Sequence, residues 1–282
     1  MSEQDNGARR LPLPGWMRRH TPLLSRVLDQ FRSVRILDCA TRLAAQAFLG
    51  GVPALFVIAA LAPDWLKEDL VESLRSAVGL QDAVLDQVTA VYAATDEVAK
   101  ASTGGVGIVV TLLSATACSR ALQSTCERAW HLPKAKAALA AWRWVAWIVV
   151  WLTALLFQGP VLNAFGTGRI AGLLLATLAA TLLWWWTQHL LLGGRVPWLP
   201  LLPGALLAGV GQQALSLGSR IYMPAAVNRS LGEFGGLGAV FVLLSWLIVL
   251  FTIVTVAIAL GQVIAREPWP ARLLGTPQEE SR

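Results

Sequence analysis

Six long apolar stretches constrain the fold of this 282-residue chain more than any other feature of its sequence. The hydrocarbon core of a bilayer is about 30 Å thick, so a helix needs roughly 20 apolar residues to cross it. The stretches are apolar on all faces and lack the alternation that marks the strands of a membrane β-barrel. We therefore predict an all-α, polytopic membrane protein with six transmembrane helices. The predicted spans cover approximately residues 43–61, 104–122, 142–162, 170–192, 199–217 and 237–264.

The composition agrees with a membrane protein. Hydrophobic residues make up 55% of the chain and charged residues 14%, whereas a soluble domain carries about 25% charged residues. Such a chain cannot cover its apolar content with a polar surface, which excludes an ordinary soluble domain and a disordered protein. We divide it into a basic N-terminal segment (1–42), a transmembrane domain (43–264) with an extracytoplasmic helical connection (62–103), and a C-terminal tail (265–282).

The basic residues are distributed unequally between alternate connections. The chain has 23 Lys and Arg against 17 Asp and Glu, a net charge of +6. Seventeen of the basic residues fall in segments on the same side of the predicted spans as the N-terminus, while the connection 62–103 holds three basic and eight acidic residues. Lys and Arg concentrate on the cytoplasmic side of membrane proteins. We therefore predict that both termini are cytoplasmic, and we do not interpret the charge excess as a sign of nucleic-acid binding.

Two segments outside the predicted spans have amphipathic patterns. In residues 21–42, apolar side chains recur at helical spacing between arginines. This helix either lies in the inner interface against anionic lipid or packs on the bundle as an ordinary cytoplasmic helix. In residues 64–100, apolar residues at i, i+4 spacing and an acidic face predict two short helices that break near Gly79. They either cap the bundle on its outer side or form a solvated acidic cover.

The sequence contains no catalytic or metal-binding pattern that we can identify. The three Cys are odd in number and lie in inner or membrane segments, which predicts no disulfide. The three His fit no metal-ligand spacing. The six predicted spans contain no Asp or Glu, which disfavours a proton relay. We therefore expect no enzymatic activity, no metal and no cofactor.

Polar residues in or beside the spans are the candidate binding residues. Intramembrane polar groups are costly and often mark pathways, but they also form hydrogen bonds between helices. Pro53 removes a backbone donor from the first span, which is tolerated where the backbone is buried in protein or lines a cavity. Arg120, Gln123 and Glu127 share one helix face by their spacing. The candidate substrate-binding residues are Gln46, Pro53, Arg120, Gln123, Glu127, Gln212 and Gln213, and the candidate outer-mouth residues are Arg220, Tyr222 and Arg229.

Three parts of the chain resemble the YihY/BrkB family of bacterial inner-membrane proteins. The first is AAQAFLGGVPALFVIAAL (44–61), which looks like the family's first span with its proline. The second is LLSATACSRALQSTCERAWHL (112–132), which is similar to an "RAL…aW" segment. The third combines WLPLLPGALLAGVGQQALSLGSRIYM (198–223) with GGLGAVFVLLSWL (235–247), which looks like the family's "PGA…" and "G.lGavivlLlWly" signature. The resemblance runs from about residue 35 to residue 267.

This chain also departs from the family pattern at two places. Gln46-Ala47-Phe48 stands where relatives often have Tyr, and Gln212-Gln213 stands where relatives often have a Trp–acid pair. An acid-dependent mechanism is therefore not expected to carry over.

The resemblance implies a bacterial inner-membrane protein linked to envelope or lipopolysaccharide transport and to serum resistance. Our leading hypothesis is a transporter or lipid-handling protein for an amphipathic or anionic envelope molecule, with membrane lipids as partners. The alternative is a non-transporting scaffold of envelope assembly, in which the polar residues join helices. The family has also carried a ribonuclease label, which we disfavour because the sequence offers no metal site or His–carboxylate pair. A homo-oligomer is left open.

Overall fold

The computed structural model describes residues 22–61, 104–134, 142–144, 146–151, 153–154 and 169–267, and every regular element within them is a helix. This confirms the all-α class for the described part of the chain. The described residues between 142 and 154, which we call the tryptophan segment, are helical as well. The predicted connection 62–103 lies outside the described residues, as do 1–21 and 268–282. The continuous helices are α1 (Pro22–Val34), α2 (Ile36–Leu61), α3 (Gly104–Ala129), α4 (Arg169–Leu192), α5 (Trp198–Phe234) and α6 (Gly236–Arg266).

Five of the six apolar stretches each lie within one helix, α2 to α6, and part of the stretch 142–162 forms the tryptophan segment. Among the described residues, one stretch, Val240–Arg266 in α6, is long and apolar enough to cross a membrane by its length and composition. Small and apolar side chains from all six helices, α1 to α6, fill the main core. Its largest fully buried side chains include Leu43, Leu122, Leu191, Leu201 and Ile258.

The basic amphipathic helix is shorter than the predicted range 21–42. It ends at Val34, because Arg35 adopts a left-handed conformation with φ of 54°. That conformation is unfavourable for a side chain with a β-carbon and interrupts the helix. The Arg35 guanidinium lies 2.6 Å from the Asp38 carboxylate in the first turn of α2. Residues 36–42 therefore begin the first long helix and do not continue the amphipathic one.

The predicted spans 199–217 and 237–264 leave a connection between them, but the structure is helical there up to Phe234, which corrects the end of the fifth span. Helix α5 continues through Pro224, and packing of this second half explains why it does not stop there. Met223 and Val227 are buried against Val242 and Trp246 of α6. The single turn residue Gly235, at φ of 60°, then reverses the chain into α6.

Small residues allow α5 and α6 to pack closely as an antiparallel pair. A β-carbon placed on Gly261 would overlap the backbone of Gly204, and one placed on Gly238 would overlap the carbonyl of Ser230. Close backbone approach at small residues is a common way for helices to associate in membranes. The α5–α6 pair is therefore specified by steric fit as well as by apolar content.

Several chain segments meet at one end of the bundle, which we call the Arg195 end. It comprises α1, the C-terminal ends of α3, α4 and α6, the start of α5 and the α4–α5 turn. The Arg26 guanidinium lies 2.6 Å from the Glu267 carboxylate, which joins α1 to the end of α6. The buried Gln30 amide donates a hydrogen bond of 2.8 Å to the carbonyl of Ala129. These contacts satisfy a free carbonyl at the end of α3 and fix α1 against the bundle.

Candidate functional site

Three of the predicted binding residues, Arg120, Gln123 and Glu127, occupy successive turns of α3 at the Arg195 end. Gln123 and Glu127 are buried, whereas Arg120 is exposed. The Gln123 amide nitrogen donates a hydrogen bond of 2.9 Å to Glu127 Oε1. The shared face predicted from the i, i+4 spacing therefore forms a direct contact between these two side chains.

Trp144 of the tryptophan segment completes this group. Its indole Nε1 donates a hydrogen bond of 2.7 Å to Gln123 Oε1. The Arg120 guanidinium lies over the Trp144 ring, 5.6 Å from the ring centroid. Its Nε also donates to the Thr116 carbonyl one turn earlier, at 3.3 Å. A guanidinium on the face of a tryptophan is held electrostatically while its outer edge still presents donors to a ligand.

Arg195 was not among the residues predicted for the site. Its Nη2 lies 2.5 Å from Glu127 Oε1, and its Nη1 donates a hydrogen bond of 2.6 Å to the Pro133 carbonyl. Gly193 and Gly194 precede it at φ of 69° and 71°, a left-handed turn that glycine adopts without strain. The Gly-Gly-Arg sequence between two apolar stretches was the available signal, because such a tight turn brings a basic residue back over the bundle.

A second guanidinium lies beside the same turn. Arg143 is positioned 5.9 Å from the centroid of the Trp142 ring. A β-carbon on Gly193 would overlap the Arg143 guanidinium, so that side chain is packed against the α4–α5 turn. Arg120 and Arg143 are thus each paired with a tryptophan of one short segment. We call Arg120, Gln123, Glu127, Trp144 and Arg195 the arginine–tryptophan site.

The buried charge of the site is compensated. The Glu127 side chain is 5% exposed and the Arg195 side chain is 29% exposed. A buried carboxylate requires a partner and further hydrogen bonds, and here Gln123 and Arg195 supply both. Burial raises the pKa of the neighbouring Cys126 thiol to about 12, and the negative charge of Glu127 acts in the same direction. The Cys126 thiol is therefore held in its neutral form beside the site.

The other four candidate substrate-binding residues, Gln46, Pro53, Gln212 and Gln213, are separate from this network. Gln212 Oε1 accepts a hydrogen bond of 2.7 Å from the Trp184 indole, and Gln213 is half-buried on the next position of α5. Gln46 is half-buried on α2, and its Oε1 has no hydrogen-bond partner in the described part of the structure. Pro53 lies within α2. The described contacts join Arg120, Gln123 and Glu127 and do not extend them to Gln46 or Gln212.

The three outer-mouth candidates lie on the second half of α5. Arg220, Tyr222 and Arg229 are all exposed, and Tyr222 is 70% accessible. Arg229 Nε lies 3.3 Å from the Glu233 carboxylate one turn later. They occupy a helix and not a connection between two spans, and the described contacts do not assemble them into one site.

Within the described residues, no group of three His, Cys, Asp or Glu side chains is arranged to hold a metal ion. The three cysteines are buried and none forms a disulfide.

A comparison with protein-family models shows which family the chain belongs to. The family model described as virulence factor BrkB matches residues 27–281, which is nearly the whole sequence. The chain belongs to the BrkB virulence factor family. The match begins within α1 and includes every described helix after it, so the arginine–tryptophan site lies wholly inside the BrkB region. BrkB membership, together with the apolar α6, indicates an integral membrane protein.

Neither the curated proteins nor the solved structures contained a significant match to this BrkB family chain.

Proposed function

We propose that this protein binds and moves an amphipathic, anionic envelope molecule in the bacterial inner membrane, and that it is not an enzyme. In this proposal the chain crosses the membrane six times with both termini in the cytoplasm. The observation that carries the proposal is the exposed Arg120 guanidinium held on the face of Trp144. Membrane lipids are the expected partners and nucleic acids are not.

The contacts at the Arg195 end support the proposed topology. Residues 119–143, the α4–α5 turn and the end of α6 are the segments that the distribution of basic residues assigns to the cytoplasm. Direct contacts join these segments, because Glu127 contacts Arg195 and Arg26 of α1 contacts Glu267. A six-span protein with cytoplasmic termini requires these segments to share one side of the membrane.

The chemistry of the site supports an anionic headgroup. A guanidinium presents several donors in a planar fork that matches phosphate and carboxylate oxygens. Trp144 is part of the site and Trp142 lies two residues before it, and tryptophan favours the level of the headgroups at a membrane interface. Trp142 is 62% exposed. An amphipathic anion would place its charge at Arg120 and Arg143 and its apolar part against these rings and the neighbouring lipid.

Lipid binding by purified protein tests this proposal. In detergent micelles, phosphatidylglycerol is expected to raise the unfolding midpoint more than zwitterionic phosphatidylcholine does, because a ligand that binds the folded state stabilises it. Arg120→Gln is expected to weaken the phosphatidylglycerol affinity about tenfold, the effect of losing one charge-assisted hydrogen bond. Added salt should weaken the same affinity, because it screens exposed charges.

Arg42→Gln is the matched control, since Arg42 is an exposed arginine on α2 outside the site. It should bind phosphatidylglycerol like the wild type. An equal response to both lipids, or an Arg120→Gln variant with unchanged affinity, would exclude Arg120 as the headgroup ligand.

A scaffold without transport is the second candidate, and the Gln212–Trp184 contact favours it. That hydrogen bond joins α5 to α4 and uses a residue predicted to bind substrate. If every polar contact serves only helix packing, Gln212→Leu and Arg120→Gln will both lower stability, and Arg120→Gln will leave the lipid preference unchanged. The two candidates therefore differ in whether Arg120→Gln changes the preference for phosphatidylglycerol.

A further inference from the structure

We infer that Glu127 and Arg195 are positioning residues that orient Trp144 beneath Arg120, and so set the affinity of the site for an anionic headgroup. This inference rests on the proposed function, since it concerns how the same site is held. Neither residue needs to contact the ligand. They act through the amide of Gln123, which lies between the Glu127 carboxylate and the Trp144 indole.

The orientation of the Gln123 amide follows from the chemistry of its two neighbours. An ionised carboxylate only accepts hydrogen bonds, and an indole N–H only donates. The amide must therefore turn its NH₂ group to Glu127 and its oxygen to Trp144, as the distances of 2.9 Å and 2.7 Å show. Rotating the amide by 180° would bring two donors together at Trp144 and two acceptors together at Glu127.

Arg195 is the charged partner of Glu127 in this arrangement. The guanidinium lies 2.5 Å from Glu127 Oε1, the same oxygen that accepts from Gln123. Its other nitrogens donate to the carbonyls of Pro133, which follows α3, and of Leu192, at the end of α4, so the guanidinium is held between these two segments. The Arg195 guanidinium thereby orients a carboxylate on α3.

The series of contacts from Arg195 through Glu127, Gln123 and Trp144 ends at the exposed guanidinium of Arg120. Trp144 is fixed by its hydrogen bond to Gln123, and its ring supports the Arg120 guanidinium at 5.6 Å. A cation–π contact depends on the position of the cation over the ring. A displaced Trp144 would leave the Arg120 guanidinium without its ring support and held by the Nε hydrogen bond to Thr116, and a less restrained arginine loses more conformational entropy when it binds a ligand.

A charge exchange separates positioning from simple stabilisation. In the double variant Glu127→Arg with Arg195→Glu, the ion pair is restored, but the arginine introduced at position 127 can only donate. The Gln123 amide must then turn its oxygen to that arginine and its NH₂ group to Trp144, which also donates. We expect the double variant to recover much of the thermal stability that Glu127→Arg alone loses, while phosphatidylglycerol affinity stays about tenfold weaker than in the wild type.

A third substitution is designed to repair the orientation. Adding Gln123→Glu to the exchange supplies a carboxylate that accepts from both the introduced arginine and Trp144, so the affinity for phosphatidylglycerol should recover. Glu127→Gln alone provides an independent measurement if the exchanged protein does not fold. It removes the obligatory acceptor and should weaken the affinity about threefold to tenfold. Its matched control is Asp38→Asn, which neutralises an exposed acid in an ion pair outside the site.

The outcomes of the micelle titration distinguish the inference from the function on which it rests. If wild-type protein shows no preference for phosphatidylglycerol over phosphatidylcholine, the proposed headgroup site itself is wrong. If wild type shows that preference, Arg120→Gln loses it, and both the charge exchange and Glu127→Gln bind like the wild type, the function stands and the positioning role is overturned. Loss of affinity in the exchange with recovery in the triple variant supports the inference.

Discussion

At the scale of single residues, the amide side chains differ in what they contact. Gln123 and Gln212 each accept a hydrogen bond from a tryptophan indole, Trp144 and Trp184 respectively. Gln46, in contrast, has a buried oxygen with no hydrogen-bond partner among the described residues. The sequence predicted these glutamines as one binding group, but each indole partner comes from a distant segment. Spacing along a helix identifies neighbours one turn apart and carries no information about such partners.

The Gln212–Trp184 hydrogen bond should stabilise the fold. Trp184 is 3% exposed, so Gln212→Leu leaves a buried indole N–H without its acceptor. We expect a loss of about 1–3 kcal/mol in the free energy of unfolding, measured by thermal or denaturant unfolding in detergent.

The adjacent residue provides the matched control for this substitution. Gln213→Leu makes the same change at a half-buried position, for which we expect a small effect on stability. In a double-mutant cycle, Gln212→Leu should cost less in a Trp184→Phe background, which has no N–H to satisfy. Equal losses from Gln212→Leu in the two backgrounds would contradict the stabilising role of this bond.

At the scale of helices, the apolar stretches predicted most of the elements, because length and all-round apolarity are local properties of the sequence. The two boundary errors have non-local or conformational causes. Helix α5 runs beyond residue 217 because Met223 and Val227 pack on α6. The amphipathic helix ends at Val34 because Arg35 takes a left-handed conformation, which is uncommon for a residue with a β-carbon. The predicted span boundaries leave a short connection between α4 and α5, but its role in positioning Arg195 depends on packing against α3.

The contact between α5 and α6 predicts how sensitive the pair is to added volume. Gly261→Ala places a β-carbon into the backbone of Gly204, so the helices must separate. We expect this substitution to lower the free energy of unfolding by about 1–3 kcal/mol, the usual effect of overpacking.

Gly218→Ala is the matched control on α5, because nothing lies within 4 Å of a β-carbon at that position. Alanine has a higher helix propensity than glycine, so this variant should be neutral or more stable by up to about 1 kcal/mol. Comparable losses in the two alanine variants would contradict the packing role of Gly261, because Gly218 has open space for a β-carbon and helix propensity alone favours alanine.

At the scale of the whole molecule, the distribution of basic residues and the contacts between helices give the bundle the same polarity, with the Arg195 end on the predicted cytoplasmic side. The basic residues fall mainly in segments on the N-terminal side of the proposed spans. Those described segments meet at the Arg195 end, where Arg26, Gln30, Glu127 and Arg195 join α1, α3, the α4–α5 turn and the end of α6. The α5–α6 turn at Gly235 lies at the opposite end of these two antiparallel helices. An even number of crossings would therefore place the Arg195 end and both termini on the same side of the membrane.

Cysteine labelling in intact bacterial cells and in inside-out vesicles tests this polarity. In a background with Cys39, Cys118 and Cys126 replaced by Ala, Ser2→Cys and Ser281→Cys should react with a membrane-impermeant maleimide in inside-out vesicles and not in intact cells. Gly232→Cys should show the reverse pattern, because Gly232 is exposed near the α5–α6 turn. Labelling of all three positions from one side would contradict a crossing between α5 and the C-terminus, and labelling of the two termini from opposite sides would require an odd number of crossings. Since Lys and Arg retained in the cytoplasm set the orientation, the expected pattern follows from the same basic residues that build the Arg195 end.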